Sequence, residues 1–149
     1  MLDAINEANN FGLNYGLAMW GIWAILSTAL LQTIVATIAH RKQSVYIPGQ
    51  LSAELGHQSF VFRSHRTFQN TLENLLLMLG PAFLAILSGM DAYWLGILVW
   101  VYALARIIHM ALYYVIATEK NPSPRSYFFI IGLLSNLVLI IMLAVHMSS

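Results

Sequence analysis

The sequence predicts an all-α membrane protein that folds as an up-down bundle of four transmembrane helices. Of its 149 residues, 59% are hydrophobic and only 9% are charged, and the mean hydropathy is +0.71. A water-soluble domain carries about 25% charged residues. This chain has too little polar surface for water alone to cover it, so lipid must cover part of it.

The first helix is predicted over residues 13–39, a stretch without a single charged residue. Its length exceeds the roughly 20 residues that a spanning helix needs. The preceding residues 1–10 contain Asp3 and Glu7 but no basic residue. That charge is wrong for the start of a secretory signal peptide.

The second helix is predicted over residues 64–89 and differs in its two halves. Residues 75–87 are uniformly apolar apart from Pro81, which predicts a kink. The first half is polar. Its Arg66, Asn70 and Glu73 recur at helical spacing and therefore share one face.

The third and fourth helices are predicted over residues 92–117 and 126–145. A very short turn joins the second helix to the third, so these two should pack as antiparallel neighbours. A polar loop with two prolines precedes the fourth. No repeat or long linker divides the chain, which predicts a single domain over residues 1–149.

Charge is distributed unequally between the two sides of the predicted membrane domain. The two long loops carry the basic residues, namely Arg41, Lys42, Arg63, Lys120 and Arg125. The other side holds three acidic residues and no basic one, namely Asp3, Glu7 and Asp91. The positive-inside rule therefore predicts cytoplasmic loops, with both termini outside the cytoplasm.

Composition also excludes several classes of function. The chain has no cysteine, so a thiol nucleophile or Cys-based metal site of its own is excluded. Its five histidines lack metal-binding spacing, and we expect no metal. A net charge of +1 argues against a nucleic-acid partner.

A second polar stripe on the third helix complements that of the second. Tyr102, Arg106, His109 and Tyr113 share one face. Run antiparallel, the two stripes mesh, with Arg66 level with Tyr113, Asn70 with His109, and Glu73 with Arg106. We therefore predict a Glu73–Arg106 ion pair near mid-membrane, because an isolated charge there costs about 2.5–3.5 kcal/mol.

Two interpretations of these stripes remain open. They are consistent with an internal hydrogen-bond network that fixes helix register. They also fit a ligand site, because their donors, together with Arg125 and Ser126 at the start of the fourth helix, outnumber the single carboxylate. A surplus of donors favours an anionic ligand.

The motifs resemble those of the MAPEG family, the membrane-associated proteins in eicosanoid and glutathione metabolism. The resemblance rests on three segments in order: Arg66-x-x-x-Asn70-x-x-Glu73, Ala105-Arg106-x-x-His109-x-x-x-Tyr113, and Pro124-Arg125-Ser126. It implies a homotrimer in a bacterial inner membrane rather than an endomembrane. It also implies a glutathione site between neighbouring subunits, which opens to the cytoplasm.

The resemblance assigns roles residue by residue. Glutathione would be bound by Arg66, Asn70, Glu73, His109, Tyr113, Arg125 and Ser126. Arg125 would steady the glutathione thiolate as the catalytic residue. Arg41 would come from the adjacent subunit, although His40 or Lys42 could serve instead.

Departures from the family's eicosanoid enzymes bear on the substrate. Gln69 replaces an arginine, and Asn74 and Phe129 replace tyrosines of those enzymes. The resemblance therefore implies a general glutathione transferase or peroxidase that acts on a hydrophobic electrophile or lipid from the bilayer. A non-catalytic protein that binds fatty acids is the main alternative, and a small transporter without internal repeats is a more distant one.

Overall fold

The computed structural model describes residues 14–149, which form four helices and no strand. These are α1 (Gly16–Arg41), α2 (Phe60–Leu87), α3 (Ala92–Val115) and α4 (Pro124–Ser148). Each helix is long and apolar enough to cross a membrane. The predicted all-α membrane fold is therefore confirmed. Residue 13 of the first predicted helix, and residues 1–10 with Asp3 and Glu7, lie outside the described residues.

The turn between α2 and α3 explains where α2 ends. Gly89 has a φ of +75°, and the amide of Met90 donates to the carbonyl of Ala85 at 3.0 Å. This is a Schellman motif, in which glycine adopts the left-handed conformation that terminates a helix. Asp91 then caps α3, because its carboxylate accepts from the amide of Trp94 at 3.0 Å.

The remaining helix ends differ from the predictions by a few residues. α2 starts at Phe60 rather than 64, so Arg63 belongs to the helix and not to the loop. α3 ends at Val115 rather than 117, because Ile116 is already extended. α4 starts at Pro124 rather than 126, since proline suits the first turn and a Ser123–Ser126 capping box closes it.

α3 is the central helix of the bundle and packs against all three others. In its most apolar stretch 44% of the residues are buried, against 22–28% in the other helices. The backbones of α1 and α3 approach closely at Gly21 and Gly96. A Cβ atom at either glycine would lie 2.7 Å from a side-chain atom of the facing helix, so any larger residue would force that side chain to shift.

The two ends of the bundle are held differently. At the end that carries both long loops, hereafter the loop end, Arg63 donates to the Tyr114 carbonyl at 3.3 Å. At the opposite end, hereafter the turn end, Trp100 donates to the Leu17 carbonyl at 2.9 Å. His146 also bonds the Ser88 carbonyl there, at 3.0 Å. The α2–α3 turn and the end of α4 therefore meet.

Buried side chains are segregated along the bundle. The hydrophobic core lies toward the turn end and includes Ile22, Met78, Leu95, Val99 and Leu139. Polar side chains are buried toward the loop end, among them Gln32, Thr67, Arg106, His109 and Arg125. The loop end is therefore where a polar ligand finds buried partners.

The face that α2 turns toward α3 differs from the predicted one. Its buried residues include Thr67, Thr71 and Asn74, at 0–9% exposure, whereas the Glu73 side chain is 55% exposed. Arg106 of α3 accordingly donates to the side chains of Asn70 and Thr71 and not to Glu73.

Candidate functional site

An open cavity of about 410 Å³ lies at the loop end, between α2, α3, α4 and the loop that precedes α4. The lining residues are Asn70, His109, Tyr113, Asn121, Arg125, Ser126, Phe129 and Ile130. Five of them were predicted as ligand contacts from the sequence: Asn70, His109, Tyr113, Arg125 and Ser126. Residues of three helices thus meet at one cavity, which we call the α2–α4 cavity.

Arg125 is the most constrained cation of the α2–α4 cavity. It is only 9% exposed, and its Nη2 donates to the Thr118 carbonyl at 2.8 Å. Its guanidinium carbon lies 4.0 Å from the centroid of the Tyr113 ring, a cation–π contact. Nη1 has no hydrogen-bond partner among the described residues. One donor of a fixed, buried guanidinium therefore has no partner within the described residues.

The N-terminus of α4 adds a second source of positive potential beside Arg125. The backbone N–H groups of a helix point toward its N-terminus, where the helix dipole is positive. Ser123 and Ser126 form a capping box, in which the Ser123 amide donates to the Ser126 hydroxyl at 3.2 Å. The box fixes the helix start and with it the positions of Arg125 and Ser126.

His109 and Tyr113 form the wall that α3 contributes. His109 is 4% exposed, and its ring centroid lies 5.4 Å from that of Tyr113 and 6.4 Å from that of Phe129. Its Nδ1 has no hydrogen-bond partner among the described residues. A buried imidazole nitrogen without a partner is costly, so it favours a ligand that bonds there.

Asn70 is oriented by α3. Its side-chain oxygen accepts from Nη2 of Arg106 at 2.8 Å, and the same nitrogen lies 3.2 Å from the Thr71 hydroxyl. Because the oxygen is occupied, the amide nitrogen of Asn70 remains as the donor for a ligand. Arg106 therefore positions Asn70 from outside the cavity lining.

The predicted Glu73–Arg106 ion pair was wrong. Glu73 pairs with Arg66 instead, at 3.2 Å between Nη1 and Oε1. Within residues 14–149, Arg106 makes no ion pair and is bound by the neutral side chains of Asn70 and Thr71. The orientation of α2 is the physical reason, because its buried face carries Thr71 and Asn74, whereas Glu73 lies on the outward face.

Arg66 and Glu73 lie on the outward face of α2 and do not line the α2–α4 cavity in a single chain. Their side chains are 42% and 55% exposed. Asn70 lies between them on the helix, at i+4 from Arg66, so the pair is adjacent to the cavity. An exposed ion pair on a spanning helix needs cover other than hydrocarbon.

Arg41 is not brought to the α2–α4 cavity. It lines a different cavity of about 310 Å³, between the end of α1, the first loop and the start of α2. His40 lines that cavity too, whereas Lys42 does not. Within one chain, none of these three residues joins the other predicted ligand contacts.

Several residues near the α2–α4 cavity were not predicted as ligand contacts from the sequence. Phe129 and Ile130 follow Arg125 and Ser126 by four residues, so helical periodicity alone would have added them to the same face. Asn121 comes from a loop without any pattern. His57 also comes from a loop, and its ring packs against that of Tyr113, with 5.8 Å between centroids.

His57 packs against Tyr113 and lies near three arginines. Its pKa is lowered from the ordinary value of 6.5, first by burial and then by the positive charges of Arg125, Arg63 and Arg66; Glu119 opposes this shift. Arg63 also holds the loop in place by donating to the His57 carbonyl at 2.7 Å. The imidazole is thus kept neutral next to the cluster of arginines.

The chemistry of the α2–α4 cavity suits an anion. It offers a guanidinium, a helix N-terminus, an imidazole and an amide, and its described lining contains no acidic side chain. Among the described residues, no three of His, Cys, Asp and Glu lie together as metal ligands would. Because the chain has no cysteine, a thiol in this cavity would have to come from the ligand.

Comparison with known proteins gives the family directly. No curated protein and no solved structure matches the chain. The sequence model of the MAPEG family matches residues 17–145, which is nearly the whole chain and includes all four helices and the α2–α4 cavity. That family includes glutathione transferases and related proteins. The chain therefore belongs to the MAPEG family.

Proposed function

We propose that this protein is a membrane-embedded, glutathione-dependent transferase. The observation that carries the proposal is Arg125, a buried guanidinium fixed over Tyr113 with a free donor, at the N-terminus of α4. These features suit a thiolate held in an anion-binding cavity. Family membership supports glutathione as the source of that thiolate, since glutathione is common among its members.

Arg125 would act on the acidity of the bound thiol. A free thiol has a pKa of about 8.5 and is mostly protonated at neutral pH. A guanidinium and a helix N-terminus both favour the charged form, and each unit by which they lower the pKa is worth about 1.4 kcal/mol. The proton leaves to solvent through the open mouth, and the sulfur remains as thiolate beside Arg125.

Arg66 and Glu73 would recognise the γ-glutamyl end of glutathione. That end is a zwitterion, with a carboxylate and an ammonium group on one carbon. An arginine and a glutamate 3.2 Å apart present the complementary charges in the same arrangement. Asn70 lies between this pair and the α2–α4 cavity, so one extended tripeptide would reach from Glu73 to Arg125.

The second substrate would be a hydrophobic electrophile. Beyond Arg125 and Ser126 the lining from α4 becomes apolar, with Phe129 and Ile130, and Ile130 is 48% exposed. The thiolate attacks the electrophilic carbon with its electron pair, and the leaving group departs with the pair of the broken bond. Reduction of a lipid hydroperoxide would instead consume two glutathione molecules, because the chain has no cysteine of its own.

Arg66 and Glu73 also support a homotrimer with the site at the junction of subunits. They belong to an outward-facing stripe on α2 with alternating spacings of three and four, namely Arg66, Gln69, Glu73, Leu76, Gly80, Phe83 and Leu87. Such spacing is typical of helices that pack against a neighbour. A second subunit would cover the ion pair and bring its Arg41 toward the glutathione of the first.

The orientation in the membrane follows the basic residues. Arg41, Arg63, Lys120 and Arg125 lie at or near the loop end, so this end would face the cytoplasm. Both termini would then lie outside the cytoplasm. A bacterial inner membrane fits this orientation, because water-soluble cytoplasmic glutathione would enter the α2–α4 cavity directly.

Substitution of Arg125 tests the proposal. We expect Arg125→Ala to lower kcat/KM for conjugation of glutathione to a small chlorinated nitroaromatic by about 10²–10³, the loss typical of a removed oxyanion-type donor. Lys120→Ala is the matched control, since it removes an exposed cation of the same loop and should leave the rate unchanged. Equal rates in both variants would contradict the assignment of Arg125.

Glutathione binding is measured separately from turnover. We expect millimolar glutathione to raise the Tm of the purified protein, because a ligand of the folded state stabilises it by mass action. Absence of any shift in the wild-type protein would favour the alternative function, a non-catalytic membrane protein that binds fatty acids.

A further inference from the structure

The first loop encloses a second cavity, away from the α2–α4 cavity. It has a volume of about 310 Å³ and is bounded by the last two turns of α1, the loop and the first turns of α2. The lining residues used below are Thr37, His40, Arg41, Tyr46, His65 and Phe68. Its volume lies at the lower end of the range of small-molecule sites, about 300–1,000 Å³.

A folded loop forms the roof of this cavity. Nε2 of His40 donates to the Ile47 carbonyl at 3.1 Å, and the Gln43 amide donates back to the His40 carbonyl at 3.0 Å. The ring of Tyr46 meets that of His40 edge-on, with 5.2 Å between centroids. His40 thus serves as the anchor that keeps the loop over the cavity.

The lining combines positive charge with apolar walls. Arg41 and His65 are at the loop end, and neither side chain makes a hydrogen bond or ion pair to another described residue. No lining residue is acidic. Thr33 lies seven residues before His40, about 10 Å deeper along α1. Toward that depth the walls are formed by Ala36 and Phe68.

This arrangement matches an amphiphile with an anionic head. The ends of spanning helices lie at the level of lipid headgroups, where basic side chains attract anionic lipids. A carboxylate or phosphate would meet Arg41 and His65, and the first methylenes of an acyl chain would contact Ala36 and Phe68. An unpaired imidazole donor at the mouth of an apolar cavity distinguishes such an anion from a neutral lipid.

We propose that this cavity binds the anionic head and upper acyl chain of a lipid, either a free fatty acid or an anionic phospholipid. This cavity shares no lining residue with the α2–α4 cavity of the same chain, although its Arg41 is also the residue proposed above to reach the glutathione of a neighbouring subunit. The test below leaves Arg41 unchanged and uses no glutathione, so the two proposals can fail independently.

Photolabelling tests the proposal in the intact protein, reconstituted in phosphatidylcholine nanodiscs. The probes are a fatty acid and a phosphatidylglycerol, each with a photoreactive group near the head, and the matching fatty alcohol. We expect the anionic probes to label residues 33–41, 46–51 and 65–68 at least about tenfold more than the alcohol does, a ratio equivalent to one charge-assisted contact. Comparison of the two anionic probes identifies the natural headgroup.

Two substitutions and one control locate the binding. Thr37→Trp fills the cavity, and His65→Leu removes an anion donor; each should cut the anionic labelling about tenfold. Ile38→Trp is the matched control, because Ile38 is 49% exposed, next in sequence to Thr37 and outside the lining. Arg41 stays unchanged in all three variants.

Three results would overturn the proposal. They are labelling spread evenly over the outer faces of the helices, equal labelling by the neutral alcohol, and undiminished labelling in both Thr37→Trp and His65→Leu. Native mass spectrometry of each variant in the same nanodiscs shows whether it keeps the assembly of the wild type. If one variant loses the wild-type assembly, the labelling of the other variant decides whether the proposal holds.

Discussion

The two halves of this bundle are built from the same four helices but from opposite chemistry. Toward the turn end, buried positions hold Met78, Leu95 and Val99, each fully buried at 0% exposure. Toward the loop end, equally buried positions hold Gln32, Thr67 and Arg106, at 0–3% exposure. Burial is therefore similar, whereas the free energy gained from it is not.

The difference indicates that burial stabilises the fold toward the turn end and positions polar side chains toward the loop end. Apolar burial stabilises the turn end, where glycines also let α1 and α3 pack closely. Polar burial at the loop end has a cost that hydrogen bonds offset only in part, since buried nitrogens of Arg106, His109 and Arg125 lack partners within the described chain. The side chains proposed to bind a ligand are thus concentrated at the end of the bundle where burial stabilises the fold least.

Mixed trimers give the largest expected effect and test whether the loop end is shared between subunits. Homotrimers of Arg41→Ala or Arg125→Ala should both be nearly inactive. Random mixing of the two variants in equal amounts should restore about a quarter of wild-type conjugation, because one site in four pairs an intact Arg125 with an intact neighbouring Arg41. Mixtures as inactive as the homotrimers would contradict a site between subunits.

Leu95→Ala tests the turn end. We expect it to destabilise the protein by about 2–5 kcal/mol, since it leaves a cavity at a position that is 0% exposed. Thermal denaturation in detergent measures the loss, and the affinity of the folded protein for glutathione should not change. Leu104→Ala is the control, because Leu104 is 51% exposed on the same helix. A changed affinity for glutathione in Leu95→Ala would contradict the separation of stability and binding between the two ends of the bundle.

Substitutions of Asn70 test the loop end, because this side chain should contribute both to stability and to the proposed binding of glutathione. Asn70→Leu removes the acceptor for Arg106, and we expect a loss of about 1–3 kcal/mol in stability. Asn70→Asp keeps an acceptor oxygen and should retain stability, but it removes the donor that is left for glutathione. Thermal denaturation and glutathione titration of both variants separate the effects. Wild-type affinity in Asn70→Asp would exclude a binding role.

His57 gives the smallest expected effect, a pH dependence confined to the loop end. Its pKa is lowered in the folded protein below the ordinary value of 6.5, by burial and by Arg125, Arg63 and Arg66, against Glu119. The unfolded chain therefore binds more protons below pH 6.5, and stability should fall as the pH drops through that value. Tm measured from pH 8 to pH 5 should fall less steeply in His57→Gln.

His146→Gln is the matched control for His57, because His146 lies at the turn end, near Ser88 and away from these arginines. It should follow the wild-type pH profile. Identical profiles in His57→Gln and the wild-type protein would show that His57 does not contribute.

The sequence predicted the four helices well, because the energy of a long apolar stretch depends on its own residues. It could not predict which face of α2 packs inward. The stripe through Glu73 and the stripe through Thr71 and Asn74 are adjacent on the helix, and packing buries the second. Arg106 therefore bonds Asn70 and Thr71, whereas Glu73 is exposed and pairs with Arg66.

Site residues on helices could be predicted from the sequence, whereas those on loops could not. Asn70, His109, Tyr113, Arg125 and Ser126 keep helical spacing, which defines their faces before any packing is known. His57 and Asn121 belong to loops, where no period constrains a side chain. Arg41 lines a different cavity of the same chain, so its proposed role would need a neighbouring subunit, which spacing within one chain cannot predict.

Arg106 has a consequence for how the protein responds to ionic strength. Its guanidinium is bound by a neutral amide and a neutral hydroxyl and is only 3% exposed, so dissolved counter-ions do not reach it. Exposed charges such as Arg66 and Glu73 are screened over a Debye length of about 8 Å at physiological salt. Added salt should therefore weaken the field of the exposed pair more than that of the buried Arg106.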